Sequence, residues 1–342
     1  MSAQLSTDAP TVAREHPSAG LGRWVRAAIS HQATALIIVV VVVGVVAQSQ
    51  NDVFLTGPNI VSLFRAGVTT FVVGAALTLV FTGGGIDMSV GAVFTLGSVT
   101  AAGAMASGVP WFLAIFLGMA AGAALGAVNA VLVIWVHIPP IIATLSTLYG
   151  VTGLVLVVTG GSPITPLPAT FDLLGQSSLL TIPLLVIYAV IIGVVFWVVL
   201  ARTKFGYSVK SMGGNERAAL SNGVPVVRLK MAIYAISGLV AALAGIIYTA
   251  RTGTADPQVG GTDITFAAIA AVLVGGTSLF GGIGTIAGTA LGAILFAEVQ
   301  NALTVANVNP LYQNIVIGVI LAAAVAIDAW RRNRAFRVSG RR

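Results

Sequence analysis

The sequence predicts an all-α membrane protein whose helices cross a bilayer about ten times. Two features of composition point to lipid as its solvent: the mean hydropathy is +1.00, and only 8% of the 342 residues are charged. A soluble domain carries about 25% charged residues and could not bury so much apolar surface. The third observation is the length of the apolar runs, which match the ~20 residues of a membrane-spanning helix rather than the shorter strands of a barrel.

The predicted spans follow one another along the whole chain. They lie near 33–47, 66–81, 90–106, 111–135, 141–158, 179–200, 231–250, 264–280, 285–305 and 313–328. They leave an N-terminal tail of 1–32 and a basic C-terminal tail of 329–342, with a transmembrane domain of 33–328 between them. The first run could also be the apolar part of a signal peptide. The tail before it is too long and too acidic for one, so we expect the run to be kept as a span.

The basic residues predict which side of the membrane each connection occupies. If the N-terminus is inside, three Lys or Arg residues lie in the N-terminal tail, six in the 201–230 connection and six in the C-terminal tail. Only Arg65 and Arg251 lie at outer ends of spans. Cytoplasmic connections carry the excess of basic residues, so both termini are predicted to be cytoplasmic in a cell inner membrane. The net charge of +7 therefore reflects orientation rather than nucleic-acid binding.

Two blocks of four spans are predicted, the second to fifth and the seventh to tenth. Because one span separates them, the blocks run in opposite senses, as in an inverted-topology repeat. Two outer connections, 159–178 and 251–263, are long enough to form a docking surface. The first contains Pro163, Pro166 and Pro168, so we expect it to be irregular rather than helical.

The most unusual stretch is TGGGIDMSVG at 82–91. Three successive glycines end a helix, because glycine is flexible and exposes the backbone. Asp87 or Ser89 is expected to cap the following helix by accepting from its free N–H groups. Two interpretations stay open: a tight turn between helices, or a broken helix beside a path through the membrane, where irregular backbone is tolerated.

A second stretch, GYSVKSMGGNERAALSNG at 206–223, lies in the basic 201–230 connection. It predicts a turn at Gly213 and Gly214, a cap at Asn215, a short helix from 216 to 220 and a stop at Gly223. Glu216 in the first turn suits the helix dipole. The segment is either a connector or a helix on which a soluble partner docks at the cytoplasmic face.

Several segments resemble, in chain order, the ribose/xylose-type permeases of ATP-binding-cassette (ABC) importers. They are GGIDMSVG at 84–91, GAVN at 126–129, IATL at 142–145, GGSP at 160–163, GGNE at 213–216 and AIAAVLVGGTSLFGG at 268–282. The resemblance runs from about 55 to 328. The chain departs from the family's pattern at Met88, Glu298 and Ala302, where leucine, an apolar residue and glycine are usual.

The resemblance implies a second permease copy, identical or related, two cytoplasmic ATP-binding subunits and a periplasmic solute-binding protein. It implies no cofactor on this chain, with ATP and Mg²⁺ held by the ATPase. The residues that it implies for coupling to the ATPase are Gly213, Gly214, Asn215, Glu216, Ala218, Ala219 and Gly223. The residues expected along the translocation path are Gly84, Gly85, Asp87, Ser89, Asn129, Thr144, Ser146, Thr147 and Asn301.

The hydroxyls of Thr144, Ser146 and Thr147 carry no charge and would suit the passage of a neutral polyol. They could equally serve as hydrogen bonds between helices. A monosaccharide is the expected solute, and autoinducer-2, polyols, nucleosides and branched-chain amino acids are the alternatives handled by related permeases.

The sequence lacks the residues of an enzyme site. A phosphate-binding loop needs Gly-Lys-Ser/Thr, and none of Lys204, Lys210 and Lys230 follows a glycine. The chain has no cysteine, and its three histidines have no metal-ligand spacing. We therefore expect no catalysis and no metal on this chain.

An ion-coupled secondary transporter is the rival class. Such carriers keep an ionisable group inside the membrane, and Asp87 or Glu298 would have to serve. A channel is less favoured, because no selectivity loop is recognisable in the sequence.

Overall fold

The computed structural model describes residues 31–309 and, beyond them, 312, 315, 316, 318–320, 322, 323 and 326. The helices within 31–309 are α1 (His31–Gln50), α2 (Gly57–Thr82), α3 (Val90–Ala106), α4 (Trp111–Ile134), α5 (Pro140–Thr159), α6 (Ala169–Gln176), α7 (Leu184–Arg202), α8 (Lys204–Gly214), α9 (Glu216–Ser221), α10 (Val226–Thr252), α11 (Gly261–Val274) and α12 (Ile286–Val305). A two-stranded hairpin of β1 (Ser178–Leu179) and β2 (Ile182–Pro183) joins α6 to α7.

The all-α membrane class is confirmed, and nine predicted spans coincide with helices. Within the described residues, six helices are long and apolar enough to cross a membrane, namely α2, α4, α5, α7, α10 and α12. The apolar part of α1 (36–50), α3 and α11 are shorter. Half of the tenth predicted span, residues 1–30 and the C-terminal tail lie outside the described residues. The count of ten spans, the inverted blocks and the cytoplasmic termini therefore stay predictions.

Helix α10 lies at the centre of the bundle, where it packs on α2, α3, α4 and α6. Its partner α2 is buried from Gly67 to Thr82, except at Phe71, which is half-buried. On the other side of α2, α12 packs against α1, α2 and α11. Helices α5 and α7 expose much of their apolar surface, as expected for residues that face lipid.

Glycines allow the central helices to approach closely. Lipid gives little hydrophobic drive for helix association, so packing and backbone proximity stabilise the bundle. Gly122 of α4 faces Gly238 of α10, and a Cβ on either would overlap the other's carbonyl oxygen. A Cβ on Gly245 would likewise overlap the carbonyl oxygen of Phe94 in α3. The three helices therefore meet backbone to backbone.

The outer connection 159–178 is not irregular throughout, so that prediction is wrong for its second half. Helix α6 begins directly after Pro168, a position where proline's missing N–H costs no helical hydrogen bond. Phe171 is buried in the same cluster as Ile246 and Ala250 of α10, which holds α6 against the bundle. Apolar packing thus outweighs the prolines before it.

The two outer connections are joined to each other. Ile164 N–H donates to the carbonyl of Ala255 at 2.9 Å, and Ala255 N–H donates back to Ile164 at 3.2 Å. The segments 159–178 and 251–263 therefore form one continuous surface at this end of the bundle.

The 201–230 connection is largely helical. Gly213 and Gly214 do not form the predicted turn, because α8 continues through both residues. The chain turns at Asn215 instead, whose backbone is extended. The predicted short helix is confirmed as α9, with its end at Ser221 rather than Leu220.

Candidate functional site

Helix α2 ends inside the bundle, at the three glycines. Gly84 adopts a left-handed backbone (φ +77°). Gly84 N–H donates to Phe81 O at 2.9 Å and Gly85 N–H donates to Val80 O at 3.0 Å, which is the Schellman pattern of a helix C-terminus. The segment 83–89, here called the break, then runs without helix to α3.

Asp87 is the centre of a buried polar network within the break. Its side chain is 1% exposed. Oδ1 accepts from the backbone N–H of Ser89 at 3.0 Å and from the Ser89 hydroxyl at 2.6 Å. Oδ2 accepts from the hydroxyl of Ser237 in α10 at 2.8 Å. Because three donors from the chain itself satisfy this carboxylate, it fixes the break to α10.

The network extends through Asn129 of α4 to α5. The Asn129 amide donates to Ser89 Oγ at 2.8 Å, and its oxygen accepts from the Thr147 hydroxyl at 2.8 Å. The side chain of Asn129 is fully buried. The break, α4, α5 and α10 are thus connected by one line of hydrogen bonds.

Backbone groups of the break find their partners on other helices. Met88 N–H donates to Thr144 Oγ1 of α5 at 3.0 Å, and Ile86 O accepts from the Tyr234 hydroxyl of α10 at 3.1 Å. Backbone N–H and C=O groups that are buried away from water need hydrogen-bond partners. The break is not helical, so side chains of neighbouring helices provide these partners.

The predicted cap at the start of α3 is wrong. Ser89 is the N-cap residue but makes no capping bond, and Asp87 accepts from Ser89 and Ser237 rather than from an N–H group within α3. Instead, Gly91 N–H donates to Thr265 Oγ1 of α11 at 3.0 Å. The helix start is therefore satisfied by a neighbouring helix rather than by its own flanking residues.

Five of the predicted path residues come together in this network: Asp87, Ser89, Asn129, Thr144 and Thr147. Gly85 of the break is buried, whereas Gly84 is exposed. Ser146 also faces outward, and its hydroxyl donates within α5 to Ile142 O at 2.8 Å. Contact of any of them with a solute stays a prediction.

Asn301 lies apart from the network, in the contact between α12 and α2. Asn301 and Asn59 form a reciprocal amide pair, with N···O distances of 2.8 and 2.9 Å. The same helix carries Glu298, one turn away, whose side chain is 6% exposed. Glu298 lies beside Gly44 of α1, and its Oε2 has no hydrogen-bond partner among the described residues. This carboxyl therefore sits between α1 and α12, away from the break.

The predicted coupling residues form a short capped helix. Asn215 Oδ1 accepts from Ala218 N–H at 3.0 Å, which confirms the predicted cap. Gly223 has φ +77° and its N–H donates to Leu220 O, while Val224 N–H donates to Ala219 O, so a second Schellman motif ends α9. Ala219 is the buried residue of α9, so the rest of its surface is free for contact.

Charge on this segment is strongly one-sided. The 201–230 connection has six basic residues and a single acid, Glu216. Glu216 accepts from Lys230 Nζ at 2.7 Å, and both side chains are partly exposed. The connection is therefore basic overall, and its one acid is paired with Lys230.

Sequence reasoning missed Tyr234, Ser237 and Thr265, which complete the network from α10 and α11. Each is a single polar residue in an apolar span, and many hydroxyls of this chain stand in such positions. The sequence therefore carried no signal that separates these three from the rest.

Metal binding has no basis in the described residues. No three His, Cys, Asp or Glu side chains among them come together in a way that could hold an ion.

Comparisons with known proteins all match permease components of transport systems. Residues 59–325 match the family model described as the permease component of the branched-chain amino acid transport system. The chain is 41% identical to the ribose import permease protein RbsC of Bacillus subtilis, over 86% of this chain and 90% of that protein. It is 34% identical to the D-allose transport system permease protein AlsC of Escherichia coli, covering 85% and 89%.

A third relative is the L-arabinose ABC transporter permease protein AraH of Azospirillum brasilense, at 34% identity over 82% of this chain and 83% of that protein. No solved structure matches the chain.

Proposed function

The chain belongs to the family of permease components of branched-chain amino acid transport systems, and we propose that it imports a monosaccharide as the membrane subunit of an ABC importer. The observation that carries the proposal is similarity along nearly the whole chain to the ribose import permease, at 41% identity. It is a multi-pass inner-membrane protein, with both termini proposed to be cytoplasmic.

The energy for import comes from another chain. No lysine of this sequence follows a glycine, so it has no phosphate-binding loop. ATP and Mg²⁺ are therefore held by separate ATP-binding subunits, and this chain supplies the path and the coupling surface. A second permease copy, identical or related, completes the path.

The solute class follows from the relatives and from the chemistry of the break. The three relatives named above carry ribose, D-allose and L-arabinose in their names. The Asp87 carboxylate of the break is already bonded to Ser89 and Ser237. The other polar side chains of the network are hydroxyls and an amide, and these suit a neutral polyol. Autoinducer-2, a nucleoside or a branched-chain amino acid are the other candidates.

The soluble partners are assigned by charge and exposure. The exposed α9 faces the cytoplasmic ATPase, and the surface built from 159–178 and 251–263 receives the periplasmic binding protein. Its two segments are joined by the Ile164–Ala255 backbone pair, so a docking event on one reaches the other.

Reversing the charge of Glu216 should uncouple the importer. Glu216→Lys places two ammonium groups together where the pair with Lys230 now stands and changes the charge that the ATPase meets. We expect the variant to reach the membrane in normal amounts and to lose uptake and stimulation of ATP hydrolysis. The measurement is ATPase activity and uptake of the reconstituted complex with loaded binding protein.

The double variant Glu216→Lys/Lys230→Glu separates two explanations for that loss. It restores the internal ion pair but leaves the charge of α9 reversed. If α9 docks on the ATPase, the double variant stays uncoupled. Recovery of uptake in the double variant, or normal uptake in Glu216→Lys, would show that α9 only connects helices and does not dock on the ATPase.

A further inference from the structure

The end of α8 touches the end of α2 directly. A Cβ built on Gly213 would overlap the carbonyl oxygen of Thr82, the last residue of α2, and would lie 3.0 Å from the carbonyl carbon of Gly83. A Cβ on Gly84 would lie 3.4 Å from the Cα of Gly213. Gly213 is therefore a glycine because two backbones pass here without a side chain between them.

A third backbone reaches the same point, from the turn 275–285 that joins α11 to α12. Gly282 N–H donates to Thr82 O at 2.9 Å. Gly281 has φ +88°, and a Cβ on it would overlap the carbonyl oxygen of Gly213. We call this meeting of 82–84, Gly213 and 281–282 the glycine junction.

The glycine junction lies between α9 and the buried network. On one side, Asn215 alone separates α8 from α9, so displacement of α9 acts on Gly213, three positions before its first residue. On the other side, the break follows Thr82 and runs past Asp87 to Ser89. The turn 275–285 follows α11, whose Thr265 bonds Gly91 and Met88. Both routes from the junction therefore end at the start of α3.

We infer that Gly213 is a positioning residue for transport, through which movement of α9 shifts the break and the 275–285 turn together. The inference rests on the proposed function. Direct contact between backbones transmits displacement because no side-chain rotamer can absorb it, and packed elements shift between discrete arrangements rather than deform continuously.

The test is Gly213→Ala in the complete complex of permease, ATPase subunits and binding protein. Its added methyl group must push the three backbones apart. We expect solute transported per ATP hydrolysed to fall about tenfold, within the range by which a residue between two sites alters their coupling. Binding-protein-stimulated ATP hydrolysis should persist, which a defect in folding would not allow.

Two glycines serve as matched comparisons. Gly153→Ala adds the same methyl group on the exposed face of α5, where nothing lies within 4 Å of the added atom, and should leave transport unchanged. Gly214→Ala also adds it to open space, next to Gly213. Any effect of Gly214→Ala should fall on stimulation of ATP hydrolysis and not on the transport-to-ATP ratio.

A second measurement needs no change at Gly213. The chain has no cysteine, so Ile86→Cys places a single thiol in the break. In the complex, its labelling rate with a polar maleimide should change on addition of ATP, and Glu216→Lys should remove that change. A labelling rate that is the same with and without ATP would overturn the inference, even if Gly213→Ala fails to fold.

The failure of this inference can be told from failure of the proposed function. If the unaltered complex imports no solute with ATP, the proposed function fails. If the unaltered complex imports and Gly213→Ala retains the same transport-to-ATP ratio, the function stands and Gly213 has no positioning role.

Discussion

Replacing Asp87 with alanine is expected to lower uptake roughly 30-fold or more. Three hydrogen bonds end on this carboxylate, and the side chain is buried. Hydrogen bonds inside membranes are worth about 0.6 kcal/mol on average, while an unsatisfied buried donor costs about 1–3 kcal/mol. The variant therefore loses about 2–5 kcal/mol of the free energy that stabilises the ordered break. Because 1.4 kcal/mol corresponds to a factor of ten in its population, even the lower figure lowers that population roughly 30-fold.

Asp87→Asn tests whether hydrogen bonding or charge is responsible. Its amide oxygen can still accept from Ser89, and its NH₂ can donate to the Ser237 hydroxyl, so we expect a smaller loss of uptake than in Asp87→Ala. Asp52→Asn, at an exposed acid between α1 and α2 and outside both proposed docking surfaces, is the control and should transport normally. If Asp87→Asn is as inactive as Asp87→Ala, the charge itself is needed and an ion-coupled mechanism gains support. Normal uptake in Asp87→Ala would contradict the account of the break.

Valine at Gly122 is the second change with a large expected effect. A Cβ there would overlap the carbonyl oxygen of Gly238 and lie 2.5 Å from the Cβ of Ala242, so α4 and α10 would have to separate. Overpacking costs about 1–3 kcal/mol, and more where backbone must move. For a loss of about 3 kcal/mol, the melting temperature of a chain of 342 residues falls by roughly 4 °C. The measurement is thermal unfolding of the purified protein and the yield of folded protein.

Gly150→Val is the matched control for helix packing. Gly150 is exposed on α5, and nothing lies within 4 Å of its added Cβ. We expect the melting temperature of this variant to stay close to that of the unaltered protein. Equal melting temperatures for both valine variants would show that the close approach of α4 and α10 does not stabilise the bundle.

The spans were predictable because hydropathy is a strong and local signal. Helix α3 has the predicted bounds of 90–106, α4 differs from its prediction by one residue at its C-terminal end, and α5 differs by one residue at each end. Helix α6 was missed for a physical reason. Prolines argue against helix within a segment, yet Pro168 stands just before the first turn, where proline is tolerated.

The site was predictable only in part. Glycines next to a lone acid in an apolar context, within the stretch 82–91, marked the break. The partners of that acid could not be read, because Ser237 is 150 residues away along the chain. The cap was wrong for the same reason, since its acceptor comes from Thr265 on another helix, 174 residues from Gly91.

Gly213 illustrates a further limit of sequence reasoning. Paired glycines usually mark a turn, and a turn was predicted there. The structure continues α8 through both residues, and Gly213 is required for backbone contact rather than for chain reversal. A pair of glycines in the sequence can therefore indicate either a turn or a close approach of two backbones, and the sequence alone does not distinguish them.

The most direct test of the central claim is solute accumulation in proteoliposomes, with ribose as the first probe, followed by D-allose and L-arabinose. We predict that accumulation requires this chain, the ATPase subunits, ATP on their side of the membrane and the binding protein together. Glu298→Gln should retain most of the accumulation, because an ATP-driven permease needs no intramembrane acid to exchange an ion. Accumulation by this chain alone, driven only by a proton or sodium gradient, would contradict the assignment.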